Sequence, residues 1–250
     1  MANVCLTLQY VGTRYHGWQV QPNGITVQET LQDAIERITG IRSAVTGCSR
    51  TDAGVHARRF YCTTSQPKHL SDEKFVQALN AVLPDDIAVL SCHAVSDAFH
   101  PRYSAVAKRY VYRMWNGAAR NPFEQGYSLH LRSPLDEVHM NAVAQLFLGT
   151  HDFSAFCSVG SSVEDKVRTI RRSEVTREGN IVFYTVEADG FLYNMVRILV
   201  GTILDVTAGR LSVENVKHAL ESGDRKSAGA TAPACGLYLE EVWYQGERES

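Results

Sequence analysis

No apolar run in the 250-residue chain approaches the roughly 20 residues a membrane-crossing helix needs. No membrane partner is therefore expected. Met1 to Tyr10 alternates like a strand and lacks a basic segment followed by an apolar one, so no signal peptide is expected either. The six cysteines, Cys5, Cys48, Cys62, Cys92, Cys157 and Cys235, are scattered and form no CxxC pair. A zinc site wants close pairs that bring two thiolates to one ion, and a disulfide framework wants a higher density. Reduced thiols, no metal and a cytoplasmic setting are the expectation. Nor is there a basic excess: 25 Lys and Arg face 27 Asp and Glu, for a net charge of −2. That disfavours a general polyanion binder, because phosphates are neutralised by Lys and Arg.

The charge is nevertheless uneven. Basic residues gather at Arg58-Arg59, Lys108-Arg109 and Lys166 to Arg172, and acids at Asp85-Asp86 and Glu240-Glu241. A mildly acidic chain with basic stripes fits a binder of one structured RNA. The 44% hydrophobic and 21% charged content is that of a globular chain, which excludes general disorder.

Periodicity predicts strands at 4–10, 60–64 and 87–93, separated by two helices. The first helix starts at Thr26, with Glu29 completing a capping box, carries Val27, Leu31, Ala34, Ile35 and Ile38 on one face, and ends at Gly40. The second runs from Ser71 to Pro84. A long strand is predicted over 103–115. Pro134 is expected to open a helix holding Val138, Val143, Leu146 and Phe147 and ending at Gly149. A hairpin follows, with strands 167–177 and 180–188 turning at Glu178-Gly179. A helix with Phe191, Leu192, Met195, Ile198, Leu199 and Ile203, another after Ser212, and a strand over 236–244 close the chain. The expected class is α+β. Two similar halves, 1–103 and 104–250, with mainly antiparallel strands, share one extended central sheet with helices packed on it. The polar, Pro-containing link Phe99 to Tyr103 sets the boundary.

The sharpest local feature is Gly47-Cys48-Ser49-Arg50-Thr51-Asp52-Ala53-Gly54-Val55-His56-Ala57. It crowds glycines and small residues around one carboxylate, which lets backbone approach a ligand closely. Arg50, two residues away, is suited to keeping Asp52 ionised as a nucleophile or base. Read alone, Asp-Ala-Gly is more often an ordinary surface turn.

This stretch resembles the Arg-Thr-Asp-x-Gly-Val-His-Ala signature of the tRNA pseudouridine synthases that act on the anticodon arm, the TruA family. Ser49 stands where that family usually has Gly. Further segments are similar to the family in the same order: Tyr15-His16-Gly17-Trp18-Gln19, Phe99 to Ala105, Lys108 to Tyr112, Gly190 to Arg197 and Ala232 to Leu239. The resemblance implies a pseudouridine synthase-like fold and an isomerase that turns uridine into pseudouridine at tRNA positions 38, 39 and 40. It implies no cofactor, tRNA as partner, and a homodimer. It also implies site roles: Asp52 as the catalytic carboxylate, Arg50 holding the flipped-out conformation, Tyr110 stacking on the uracil, Arg197 pairing with Asp52, and Leu237 as an apolar wall.

From the residues alone each of these has an ordinary reading. Tyr110 on a strand suits half-buried packing, Arg197 on an apolar helix needs some acidic partner, and Leu237 suits the core. Arg58 and the strand bearing Arg168, Arg171 and Arg172 suit phosphate contacts; a solvated, charge-protected strand edge suits the latter equally. His16, His56 and His100 suit hydrogen bonding, as none has a His partner at i+4. Two other functions are consistent with a lone motif carboxylate. A glycosidic hydrolase would want a second carboxylate, and none stands in a motif context. A non-catalytic RNA-binding module would not need Asp52 and Tyr110, and both are present.

Overall fold

Alternation of Val4, Leu6, Leu8 and Tyr10 produces the first strand, whose inward side chains are fully or almost fully buried. The computed structural model describes residues 2–67, 69–160 and 163–245. In chain order the elements are β1 (Ala2–Tyr10), α1 (Val27–Thr39), β2 (Thr46–Gly47), β3 (His56–Gln66), α2 (Asp72–Val82) and β4 (Ile87–Ala94). Then come β5 (Ala105–Trp115), β6 (Leu129–His130), α3 (Glu137–Ala144), β7 (Gly149–Asp152), β8 (Val167–Glu178) and β9 (Ile181–Ala188). The chain ends with α4 (Met195–Thr207), α5 (Val213–Ser222) and β10 (Leu237–Tyr244). The class is α+β. The chain forms two compact units: Met1–Val106 with Tyr238–Ser250, and Ala107–Leu237.

In the first unit β1 is central. It pairs antiparallel with β3, Leu6 opposite Cys62 and Leu8 opposite Phe60, and antiparallel with β4 on its other side. β10 joins β3 in parallel, with Tyr238 opposite His56 and Leu239 opposite Ala57. The two residues of β2 pair with the far part of β3. α1 begins where Thr26 Oγ1 accepts the Glu29 N–H at 3.3 Å, and ends at Gly40 in the left-handed region. It buries Val27, Leu31, Ala34 and Ile35; the larger aliphatic side chains contribute about 1.5–3 kcal/mol each. α2 is capped by Ser71 and buries Phe75 and Leu79. The cysteines are free, and burial raises the pKa of the Cys62 thiol; burial, then the nearby Asp72, pushes that of Cys92 up to about 12.

The second unit has strand order β5-β9-β8-β7, all antiparallel, with short β6 parallel to β5. Tyr112 and Tyr184 are fully buried, each with its hydroxyl used: Tyr112 donates to Pro233 O at 2.7 Å, and Tyr184 lies 3.0 Å from Ser173 Oγ. α4 is buried on nearly every side, which makes its apolar length intrachain core. The segment around Ala230 crosses it at Gly201. A Cβ there would stand 1.7 Å from Ala230 O, so only glycine permits this approach.

Several boundaries differ from the sequence pattern. α3 starts at Glu137, not Pro134, because the Asp136 carboxylate accepts the His139 N–H at 2.9 Å and captures the cap. It ends at Ala144, Gln145–Phe147 continuing as a 3-10 turn, and Gly149 opens a strand instead of closing a helix. Val138 points outward, 77% exposed. Phe191 and Leu192 precede α4, since Asn194 adopts the left-handed conformation (φ 59°) before the helix begins. The hairpin turns on Gly179-Asn180, because Glu178 still pairs with Ile181. β3 begins at His56, directly after the Asp52 loop, and Tyr103 lies in a turn ahead of β5.

The Gly201 contact makes a direct prediction. Gly201→Ala forces backbone against backbone and is expected to cost about 1–3 kcal/mol, lowering the thermal midpoint by several degrees in a calorimetric scan. An unchanged midpoint would show that the crossing segment yields freely.

Candidate active site

Within the segment Gly47 to Ala57, residues 48–55 form the loop between β2 and β3, seated on the loop that follows β1. The seat is largely backbone. Thr51 O accepts the Trp18 N–H at 3.1 Å, and Tyr15 O accepts the Gly54 N–H at 3.2 Å. Asp52 O accepts the Val55 N–H at 3.1 Å, closing a turn around Ala53-Gly54. At its far end His56 Nδ1 accepts the Gly12 N–H at 3.0 Å. This fixes the His56 proton on Nε2 when the ring is neutral. Buried hydroxyls of Tyr10 and Thr51 meet at 2.8 Å. Gly17, at φ 85°, lets the two backbones approach: its Cβ would lie 2.4 Å from Thr51 O. Beneath the loop, Trp18 stacks near Phe60 (4.1 Å between centroids), with Tyr10 5.6 Å from Phe60. The supporting loop is tied down in turn, as Tyr15 Oη donates to Asp86 at 2.7 Å and Val11 N donates to Asp86 O at 2.9 Å.

Asp52 is thereby held half-buried by a scaffold in which the backbone supplies most of the bonds. Arg50 is exposed, and among the described residues it forms no ion pair with Asp52. Its side chain instead lines a concavity of about 220 Å³ together with Ser49, Trp18, His100, Arg102 and Tyr103. Arg50 thus makes no direct ion pair with Asp52 among the described residues.

In the second unit, Tyr110 lies on β5, buried, with Phe191 edge-on at 5.0 Å. Arg197 stands in the first turn of α4. Its Nε donates to Ala232 O at 2.7 Å and its Nη1 to Asn194 Oδ1 at 2.8 Å. These two bonds fix the guanidinium plane, and Asn194 Nδ2 in turn donates to Ser158 Oγ at 2.9 Å. Leu237 is buried at the start of β10, delivered by the 3-10 turn Ala234–Gly236.

A sequence model of the family described as tRNA pseudouridine synthase matches residues 7–104 and 143–245. The chain belongs to the tRNA pseudouridine synthase family. It is similar over nearly its whole length to proteins named tRNA pseudouridine synthase A. That of Clostridium kluyveri is 46% identical over 98% of this chain and 100% of its own. Those of Acetivibrio thermocellus and a Thermoanaerobacter species are 45% and 44% identical with the same coverage. This pseudouridine synthase is thus an isomerase acting on tRNA uridine.

The basic residues of the synthase are differently placed. Arg58 is engaged within its own unit, 3.3 Å from Glu240 and over the Tyr238 ring at 5.6 Å. Arg172 pairs with Glu174. Arg168 donates to the Asp165 carbonyl at 3.1 Å. β8 is not an edge there, as β7 flanks Val167 to Ile170; Arg171 sits at the following bulge and is exposed. Among the described residues no group of three or more His, Cys, Asp or Glu is placed to hold a metal, and no helix is long and apolar enough to cross a membrane.

Pattern reading missed the supporting positions. Tyr10, Gly17 and Thr51 read as strand, loop and motif filler, and their connection spans more than 30 residues of sequence. Gly17→Ala in this synthase is expected to cost roughly 1–3 kcal/mol, from a strained φ and a backbone clash. The Trp18 amide, whose hydrogen bond to Thr51 O would open, should exchange with deuterium markedly faster than in the wild type. Unaltered protection of Trp18 would mean the loop is held by something else.

Proposed function

We propose that this synthase isomerises uridines at positions 38, 39 and 40 of the tRNA anticodon stem-loop, with Asp52 as the catalytic carboxylate. The observation that carries the reading is the backbone clamp on residues 51–56, which fixes one half-buried carboxylate inside the family's motif. The reaction breaks the N1–C1′ bond, turns the uracil over, and forms a C5–C1′ bond. The C5 proton leaves to water and N1 regains one. Nothing is oxidised or reduced, so the chemistry calls for no redox cofactor. Asp52 serves bond cleavage and re-formation as the group that meets the developing electron deficiency at the sugar or attacks the reacting centre.

The target base must leave the helical stack to be reached. Arg50, exposed and without an ion-pair partner among the described residues, is assigned to holding that flipped-out conformation. Tyr110 is assigned to the uracil face, Arg197 to keeping Asp52 ionised and oriented, and Leu237 to an apolar wall. Arg58, Arg168, Arg171 and Arg172 are assigned to phosphates, where Arg58 and Arg172 exchange a carboxylate partner for RNA. The same reading carries a homodimer with tRNA across two subunits, working in the cytoplasm.

Uridine-5-tritium-labelled tRNA transcript provides the test. Tritium should pass to water with wild-type protein, fall by at least three orders of magnitude with Asp52→Asn, and vanish when positions 38 to 40 of the transcript are all cytidine. Undiminished release from the cytidine transcript would refute the anticodon-arm assignment. A folded, tRNA-binding Asp52→Asn protein that still turns over would refute the role of Asp52. Light scattering should return twice the 27.8 kDa chain mass; a single chain mass at micromolar concentration would remove the dimer.

A further inference from the structure

Beside the Asp52 loop lies a concavity in which, of the residues given roles above, only Arg50 takes part. The 220 Å³ concavity of the first unit is lined by Trp18, Gln19, Gln28, Ser49, Arg50, His100, Arg102 and Tyr103 among others, with no acidic residue. In a chain of net charge −2 that is an unusual concentration of positive potential. Elsewhere in the unit, Arg14, Arg42, Arg58 and Arg59 each sit on a carboxylate, while Arg37 on α1 makes no ion pair among the described residues. Arg50 and Arg102 form no ion pair among the described residues.

The aromatic side of the concavity is built in advance. Tyr103 is 76% exposed, yet its ring stacks on His100 at 4.3 Å, tilted by 36°, and the Arg102 guanidinium lies over it at 5.7 Å. His100 Nδ1 accepts the N–H groups of Arg102 (3.1 Å) and Tyr103 (3.3 Å), and Ser104 Oγ accepts the His100 N–H at 3.2 Å. The turn is anchored from below, where Tyr244 Oη donates to Pro101 O at 2.9 Å and Phe99 packs on the Tyr244 ring. An exposed ring held this firmly loses little freedom when something stacks on it. The volume falls short of the roughly 300 Å³ at which pockets for whole small molecules begin. It suits one unit of a polymer.

We propose that this concavity is a second nucleotide subsite, which takes one unpaired nucleotide of the tRNA next to the target, its base on the Tyr103–His100 rings and its phosphate on Arg102. The proposal rests on the tRNA reading above. Ser49 and Arg50 line the subsite and lead directly to Asp52, so a nucleotide seated here fixes the register of the strand that enters the catalytic loop. Stacking on an aromatic face accepts any base, while the arginine supplies the salt-dependent part.

The test measures binding of a fluorescein-labelled anticodon stem-loop transcript by anisotropy, with every variant made in Asp52→Asn protein so that turnover does not intervene. Tyr103→Ala should weaken binding about tenfold, within the range for loss of one stacked base, with an unaltered slope of log K against log salt. Arg102→Ala should weaken it and reduce that slope by about one. Tyr103→Trp should keep the affinity, its added indole emission quenched by the transcript. Tyr103→Ala binding within twofold of its parent, or Tyr103→Trp as weak as Tyr103→Ala, overturns the proposal; circular dichroism checks that each variant is folded. If wild-type protein released no tritium while Tyr103→Ala still lost its binding, the isomerase reading would fail and the subsite would stand. Tritium release with binding indifferent to Tyr103 would have the opposite meaning.

Discussion

The arrangement of the first unit depends on one contact, the clamp between residues 12–18 and 51–56, made by two main-chain hydrogen bonds and by the Gly12 N–H to His56 Nδ1. Two parallel requirements meet there. In the proposed role, the Asp52 carboxylate must be held within a fraction of an ångström, and a loop has no ladder of its own to hold it. The chain meets both by laying a second loop against the first and exchanging main-chain hydrogen bonds between them. Peptide groups have no rotamers, so such bonds restrain position more tightly than side chains of comparable reach. The cost falls on residue choice: Gly17 must be glycine for the backbones to meet, and Thr51 must present a hydroxyl to Tyr10.

That division explains what could be read from sequence. Strand alternation, the Thr26 and Ser71 caps and the Gly40 stop are local signals, and the elements they predict are present. The Asp52 loop was legible only through its resemblance, since Asp-Ala-Gly alone is a turn. Failures occurred where a nonlocal or competing local interaction decided. Asp136 took the α3 cap from the Pro134 position, and Asn194 absorbed a left-handed residue that delays α4. The return of β10 to pair with β3 joins residues some 180 apart in the chain, which no periodicity encodes. Arg50 is the instructive case for the site. Proximity in sequence suggested an ion pair with Asp52, but among the described residues Arg50 makes none and lines the neighbouring concavity instead.

The charge balance is resolved by the same geometry. An overall negative chain binds a polyanion only if its cations are left uncommitted where the polymer lies. Ion pairs with surface carboxylates contribute little to stability, about 0–1 kcal/mol. Their consequence is electrostatic addressing: they quench arginines such as Arg14 and Arg42 and leave Arg50 and Arg102 as sources of positive potential beside the loop. Net charge thus states little about partners, whereas the pairing pattern of individual arginines states a good deal.

Flipping a base adds a final constraint. Extrusion costs a few kcal/mol of stacking, and a rigid carboxylate loop offers nothing that offsets it before the chemistry begins. The offset must come from contacts to RNA outside the reacting base, made by groups that are ordered beforehand and lose little freedom on binding. The His100–Tyr103 turn has that character, with its backbone tied by His100 Nδ1 and by Tyr244 Oη, and the Tyr103 ring lying against His100. The stiffness of the Asp52 clamp and the stiffness of the neighbouring turn then serve one end. A carboxylate that cannot move to the substrate requires a strand that is brought to it in register.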